Sequence, residues 1–128
     1  MKTKAILEKE FYHDGRGPEL QRAVWKMNGV VLDGFEYYNP NDRHTETELK
    51  NIKLINVEAH QMASEEVHGN IISMAENKAA IFEIINSEWI KTFQQHHLSK
   101  CRHYQIIFYD EIYDVVCESI IAGHGRLN

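Results

Sequence analysis

The run His103–Ile120, HYQIIFYDEIYDVVCESI, decides the fold. Tyr104, Ile106 and Phe108 alternate with Gln105, Ile107 and Tyr109, the period of two that a strand imposes on its side chains. After Asp110-Glu111 the apolar run resumes through Ile112, Tyr113, Val115, Val116, Cys117 and Ile120. β-Branched and aromatic residues dominate, as a pleated, packed surface favours. Apolar groups fall on both faces, so the stretch predicts a central hairpin covered on both sides, with an acidic turn. If Asp110-Glu111 is the loop, Tyr109 faces Ile112 and Tyr104 faces Cys117. Cys101 and Cys117 then sit about three residues apart along the ladder, roughly 10 Å. A disulfide needs Cα atoms within about 7 Å, so two free thiols are expected.

Working outward, Lys4–Tyr12 reads as a first strand, ended by the turn cluster HDGRGP at 13–18. Leu20–Met27 fits either a helical stripe of Leu20, Val24 and Met27 or a strand; β-prone Val24 and Trp25 before the Asn28-Gly29 turn favour the strand, which makes a hairpin with Val30–Tyr38 and a bulge at Asp33-Gly34. Asn39–Glu48 is a polar loop. Ile52–His60 reads as one strand, and Met62–Gly69 as a polar connection. Asn70–Ala75 and Ala79–Asn86 form a further hairpin pattern about Glu76-Asn77-Lys78. Ser87 is placed to cap a short helix, Glu88–His96, with Glu88 in its first turn and Trp89, Ile90 and Phe93 on one face. Residues 122–128 read as a loose polar tail. The expected fold is mainly β: an antiparallel sheet of about seven strands, curled or sandwich-like, with one short helix. An α+β arrangement is the alternative.

A chain of 128 residues fits one domain, 1–128, with enough core to fold without staples. The 43% apolar and 26% charged fractions are ordinary for a globular protein. Two cysteines outside any disulfide framework fit a reducing, cytoplasmic compartment. The N-terminal MKTKAILEKEFYHD lacks a signal peptide's apolar core, and no run is long enough to span a bilayer. A formal charge of −5 argues against a nucleic-acid binder and allows an acidic surface that meets a basic protein. No membrane partner is expected; pairing of copies through a strand edge is a further possibility the pattern leaves open.

Eight histidines are the one compositional oddity. Cys101 and His103 share a strand face, and His97 approaches from the helix end, so these three form a candidate zinc set. The competing reading places His96 and His97 at a helix C-terminus and His103 as a packing or capping group. His13-Asp14 looks like half of an acid/base pair, but neighbours on an extended chain point apart. Lys100 and Arg102 flank Cys101 and would lower its thiol pKa, favouring a nucleophile; no acidic orienter is evident. No nucleophile-elbow, phosphate-loop or dinucleotide motif occurs. No cofactor and no catalytic residue is assigned. The stronger binding candidates are Tyr109, Asp110, Glu111, Tyr113, Asp114 and Glu118, read as an acidic patch studded with tyrosine, a residue enriched at interface hot spots. The alternative function is a ligand carrier or enzyme with a pocket containing His60, His68 or His103 in a β-barrel mouth.

From Ile81 onward the chain resembles small stand-alone bacterial proteins that end in a hairpin opening on His-Tyr. The matching residues are His103-Tyr104, Tyr113-Asp114 and Glu118. Some proteins of this look are grouped with immunity proteins of toxin systems. The resemblance covers about a third of the chain. It implies a protein that acts by binding, and it transfers no catalytic residue.

Overall fold

The structure is a computed structural model that describes residues 2–7, 10–12, 18–26, 29–37, 50–64, 79–93 and 96–124, leaving aside the side chains of 2, 96 and 97. Nine strands occur among them: β1 Lys2–Ala5, β2 Glu19–Lys26, β3 Gly29–Glu36, β4 Asn51–Ile55, β5 Ala59–Ser64, β6 Ile81–Ile85, β7 Arg102–Ile107, β8 Glu111–Cys117 and β9 Ser119–Gly123. One α-helical turn, α1 (Glu88–Lys91), and a 3₁₀ segment (His96–Lys100) lie between β6 and β7. The fold is mainly β, as the alternation predicts. The strand count rises above seven because two expected strands are each broken in two.

The β7–β8 hairpin sits inside a five-stranded antiparallel sheet of order β1-β6-β7-β8-β5. Its loop is Tyr109-Asp110, one residue earlier than expected: Phe108 N–H donates to the Glu111 carbonyl at 2.8 Å. Tyr104 therefore faces Val115, and Arg102 faces Cys117. The acidic dipeptide is not a favoured two-residue turn, so composition alone did not fix where the chain reverses. Alternation sends Tyr104, Ile106, Tyr113, Val115 and Cys117 into the core between the sheets. Ile107 and Ile112 point the other way, against Phe82, Ala79 and Ala5. Both faces of the hairpin are buried.

The second sheet runs β2-β3-β4-β9. Its Leu32, Phe35, Ile52 and Leu54 pack on the inner face of the first sheet. Phe11, Phe35 and Phe108 meet pairwise at ring centroids 5.1–5.5 Å apart and fill the centre. At one side the sheet edges approach through Trp25 of β2, stacked on His60 of β5 at 3.9 Å. The two sheets do not close into a barrel, so the expected barrel mouth does not form.

One bent antiparallel ribbon joins the sheets. β4 pairs with β9 in the second sheet, and the same two chain segments continue as β5 and β8 in the first. Between the pairs Ile55–Ser119 and Ala59–Val116, three residues (56–58) oppose two (117–118). That extra residue is a bulge, which bends a ribbon sharply. It is why Ile52–His60 is two strands rather than one. Asn56 takes φ +53°, a conformation asparagine tolerates better than most. Its side-chain amide donates to the Glu118 carboxylate, and Glu118 N–H donates to the Ile55 carbonyl at 3.0 Å.

At Asp33-Gly34 the ladder with β2 keeps one register on both sides, so there is no register-shifting bulge. What changes is the pleat. Leu32 and then Phe35 point inward, as do Ala23 and then Leu20 on β2. Gly34 makes this reversal at φ +77°, and a Cβ there would meet Gln21 Cβ at 2.8 Å.

Other expectations shift in detail. The first strand stops at Ala5, because Leu7 turns to φ +52°; Tyr12 makes only an isolated bridge to Ala79. β6 is flanked by β1 and β7, which take both its edges, and the expected partner Asn70–Ala75 lies outside the described residues. The helix closes after one turn, at Thr92, whose hydroxyl donates to the Trp89 carbonyl. Met62–Ser64 belong to β5, and Ala122 and Gly123 belong to β9 rather than a tail. Residues 13–17, 38–49 and 65–78, with His13, Asp14 and His68, lie outside the described residues.

Candidate functional site

Two places concentrate polar chemistry. The first is on the outer face of the β6–β7–β8 sheet. Ser87 follows Asn86, which turns at φ +54°, and its hydroxyl oxygen accepts the Ile90 N–H at 3.2 Å as the helix cap. The same oxygen lies 2.7 Å from His103 Nδ1. His103 Nε2 lies 2.8 Å from Asp114 Oδ1, which also accepts from the Gln105 side-chain amide at 3.4 Å. A carboxylate only accepts, so Nε2 donates to Asp114; in the neutral ring Nδ1 then accepts the Ser87 hydroxyl proton. Trp89 meets the imidazole edge-on at 5.1 Å.

This Ser87–His103–Asp114 relay would polarise a serine hydroxyl if a substrate reached it. Its placement serves the fold instead. Ser87, His103 and Asp114 are only 5%, 6% and 3% exposed. Both ring nitrogens are taken, and the serine oxygen already caps α1. The relay closes α1 over a sheet face that would otherwise bury unpaired polar atoms. A crevice of about 250 Å³ borders it, lined by Ser87 and His103 of the relay with Ile90, Leu98 and Cys101 among others.

Of the candidate zinc set, the side chain of His97 lies outside what the structure describes. No group of three His, Cys, Asp or Glu able to hold a metal occurs among the described residues. His103 has no ring nitrogen to offer, and His97 stands on the 3₁₀ segment. Cys101 and Cys117 are both free. The corrected register puts Cys117 opposite Arg102, much nearer Cys101 than a three-residue offset implies. They stay apart because Cys101 borders the crevice near α1 while Cys117 is in the inter-sheet core. Burial raises the Cys101 thiol pKa, and Glu58 and Glu118 raise it further, opposite to the effect expected of Lys100 and Arg102. A nucleophilic Cys101 is therefore not supported.

The second place is the β7–β8 tip. Tyr109 and Asp110 are exposed there and Glu111 is half-buried. Tyr113 is buried, but its hydroxyl donates to the Glu111 carboxylate at 2.9 Å and fixes it. Burial, then this bond and the charge of Glu111, hold the Tyr113 hydroxyl well above its usual pKa. Next to Tyr113, on the edge strand β5, stands Met62, 55% exposed. The expected six-residue patch is thus divided. Tyr109, Asp110 and Glu111 share the tip, with Tyr113 beneath them. Asp114 is buried in the relay on the opposite face, and Glu118 lies at the far end of β8, in the ribbon corner. Met62 was missed because its neighbours read as a connection. The relay was missed because the assumed register set Asp114 opposite Ile107 rather than diagonal to His103.

No protein-family model, curated protein or solved structure matches this chain.

His60, proposed for a pocket, is an exposed edge residue stacked on Trp25 beside an open crevice of about 250 Å³ that Lys26 and Glu58 also line. Among the described residues no helix is long and apolar enough to cross a membrane.

Proposed function

We propose that this chain acts by binding a basic protein partner, as an inhibitor of the immunity type in a bacterial cytoplasm. One observation carries the reading: exposed Tyr109 and Met62 flank Asp110 and a Glu111 carboxylate held in place by Tyr113. A large apolar side chain beside fixed negative charge is the composition of a protein interface, where aromatic and methionine side chains are enriched. The pre-set carboxylate spends little conformational entropy on binding. The resemblance of the C-terminal third to immunity-type proteins points the same way.

The test is native mass spectrometry of the untagged protein isolated from its own cells. The expected result is an added protein mass that is lost in an Asp110→Lys/Glu111→Lys variant. A complex that survives both charge reversals would remove the tip from the interface, and a bare monomer would remove the reading.

A further inference from the structure

Among the described residues four strands are sheet edges: β1, β2, β5 and β9. An edge presents unpaired N–H and C=O groups, and proteins usually guard it with charge. β1 (KTKA) and β2 (ELQRAVWK) carry such charges; β5 (AHQMAS) and β9 (SIIAG) carry none. The two exposed aliphatic side chains of the described residues, Met62 and Ile121, stand on these two uncharged edges. β9 has its own chain beside it: Ile6 and Leu7 share a crevice with Ile120 and Ala122, and Glu10 meets His124 at 3.2 Å. β5 has Trp25 of β2 stacked on His60 near its start; beyond that, among the described residues, its backbone hydrogen bonds are those of the ladder to β8.

The ladder geometry says which groups are open. Glu58 N–H donates to the Val116 carbonyl at 2.9 Å, so the inward-bonded positions of β5 are 59, 61 and 63. The N–H and C=O groups of His60, Met62 and Ser64 therefore point away from β8. Ser64 pairs with Glu111, so the acidic tip lies at that end of the same edge.

We infer that β5 is the docking edge, and that the occupant is an extended, basic segment of a partner protein that adds to the sheet as a sixth strand. This rests on the binding function proposed above and names how the partner is held. Main-chain bonds to His60, Met62 and Ser64 supply affinity. An apolar side chain of the partner covers Met62. A lysine or arginine near the Ser64 end reaches across β5, two strand spacings or about 10 Å, toward Glu111 and Asp110.

The probe is a short synthetic peptide, Lys-Thr-Val-Thr-Val-Thr-Lys, titrated into the ¹⁵N-labelled full chain. Shifted and exchange-protected amides at His60, Met62 and Ser64 are expected, with affinity about tenfold weaker for the glutamate-ended counterpart. Met62→Pro removes one outward N–H while keeping every bond to β8, so it should abolish binding with the β5–β8 ladder signals unchanged. Met62→Lys, which guards the edge without touching the backbone, should weaken binding to the same peptide. Equal binding of both peptides, or binding by Met62→Pro, would overturn the edge proposal. A dimer mass that disappears in Met62→Pro would assign the edge to a second copy instead, also overturning it. A native complex from cells that is lost on charge reversal at the tip but kept in Met62→Pro would sink this inference alone and leave the proposed function standing.

Discussion

His103 Nε2 lies 2.8 Å from Asp114 Oδ1, diagonally across the β7–β8 ladder, on the face that α1 covers. The pair is buried, and its third member, Ser87, belongs to the turn that starts the helix. One short chain of hydrogen bonds thus fixes where α1 sits on the sheet.

Removing either end of that chain should cost stability. Ser87→Ala deletes the helix cap and leaves His103 Nδ1 unpaired, for a loss of about 1–3 kcal/mol. Asp114→Ala leaves a buried imidazole N–H without its acceptor and should cost about 3 kcal/mol or more. Urea unfolding of the two variants measures both. A fluorophosphonate should leave the native protein at its unmodified mass; an adduct on Ser87 would show an open, nucleophilic serine.

Gly34 should tolerate no side chain. Its φ of +77° and the nearness of Gln21 Cβ act together against alanine. Gly34→Ala is expected to destabilise by about 1–3 kcal/mol. Gly34→Ala combined with Gln21→Gly should recover part of that loss if the clash contributes, and none if backbone strain is the whole cost.

The ribbon corner depends on Asn56. Asn56→Val forces a β-branched residue to φ +53° and deletes the bond to Glu118. A loss of about 2 kcal/mol is expected. Asn56→Gly relieves the backbone but not the hydrogen bond, so it should fall between valine and wild type. Thermal melts of the three proteins give the order.

The thiols should be quiet near neutrality. Burial pushes the Cys117 thiol from its ordinary 9.0 up to about 12, and nearby Cys101 adds to the rise. A disulfide-exchange reagent at about pH 8 should react slowly with the native protein and count two thiols after unfolding. The raised value also sets an alkaline limit. Between pH 9 and about 12 the folded chain keeps a proton that the unfolded chain releases, so this contribution is complete below 9 and is lost as pH rises to about 12. Tyr113 is shifted the same way. Denaturant midpoints should fall across that window, and fall less steeply in Cys117→Ala.

Much of the architecture was legible in the chain. The period-two runs of β7 and β8 predict strands, β-prone Val24 and Trp25 before Asn28-Gly29 favour a hairpin of β2 and β3, and Ser87 before Glu88-Trp89 predicts a helix start, because alternation, turn chemistry and capping are local physics. Burial on both faces of the final hairpin follows from apolar residues at odd and even positions alike. The absence of disulfide spacing likewise matches the two free thiols.

Tertiary structure decided the rest. Alternation reports which face a residue takes but not its partner, so a two-residue change in strand pairing was invisible in sequence. That change moved Asp114 from an expected surface patch into a buried relay with His103. It also set Cys117 opposite Arg102. The bulge at 56–58 exists only where two distant segments meet, so no local signal could divide β4 from β5. The exposed edge of β5 has the same origin. Its sequence AHQMAS says that it carries no charge, but only the order of strands makes it the last one of its sheet among the described residues.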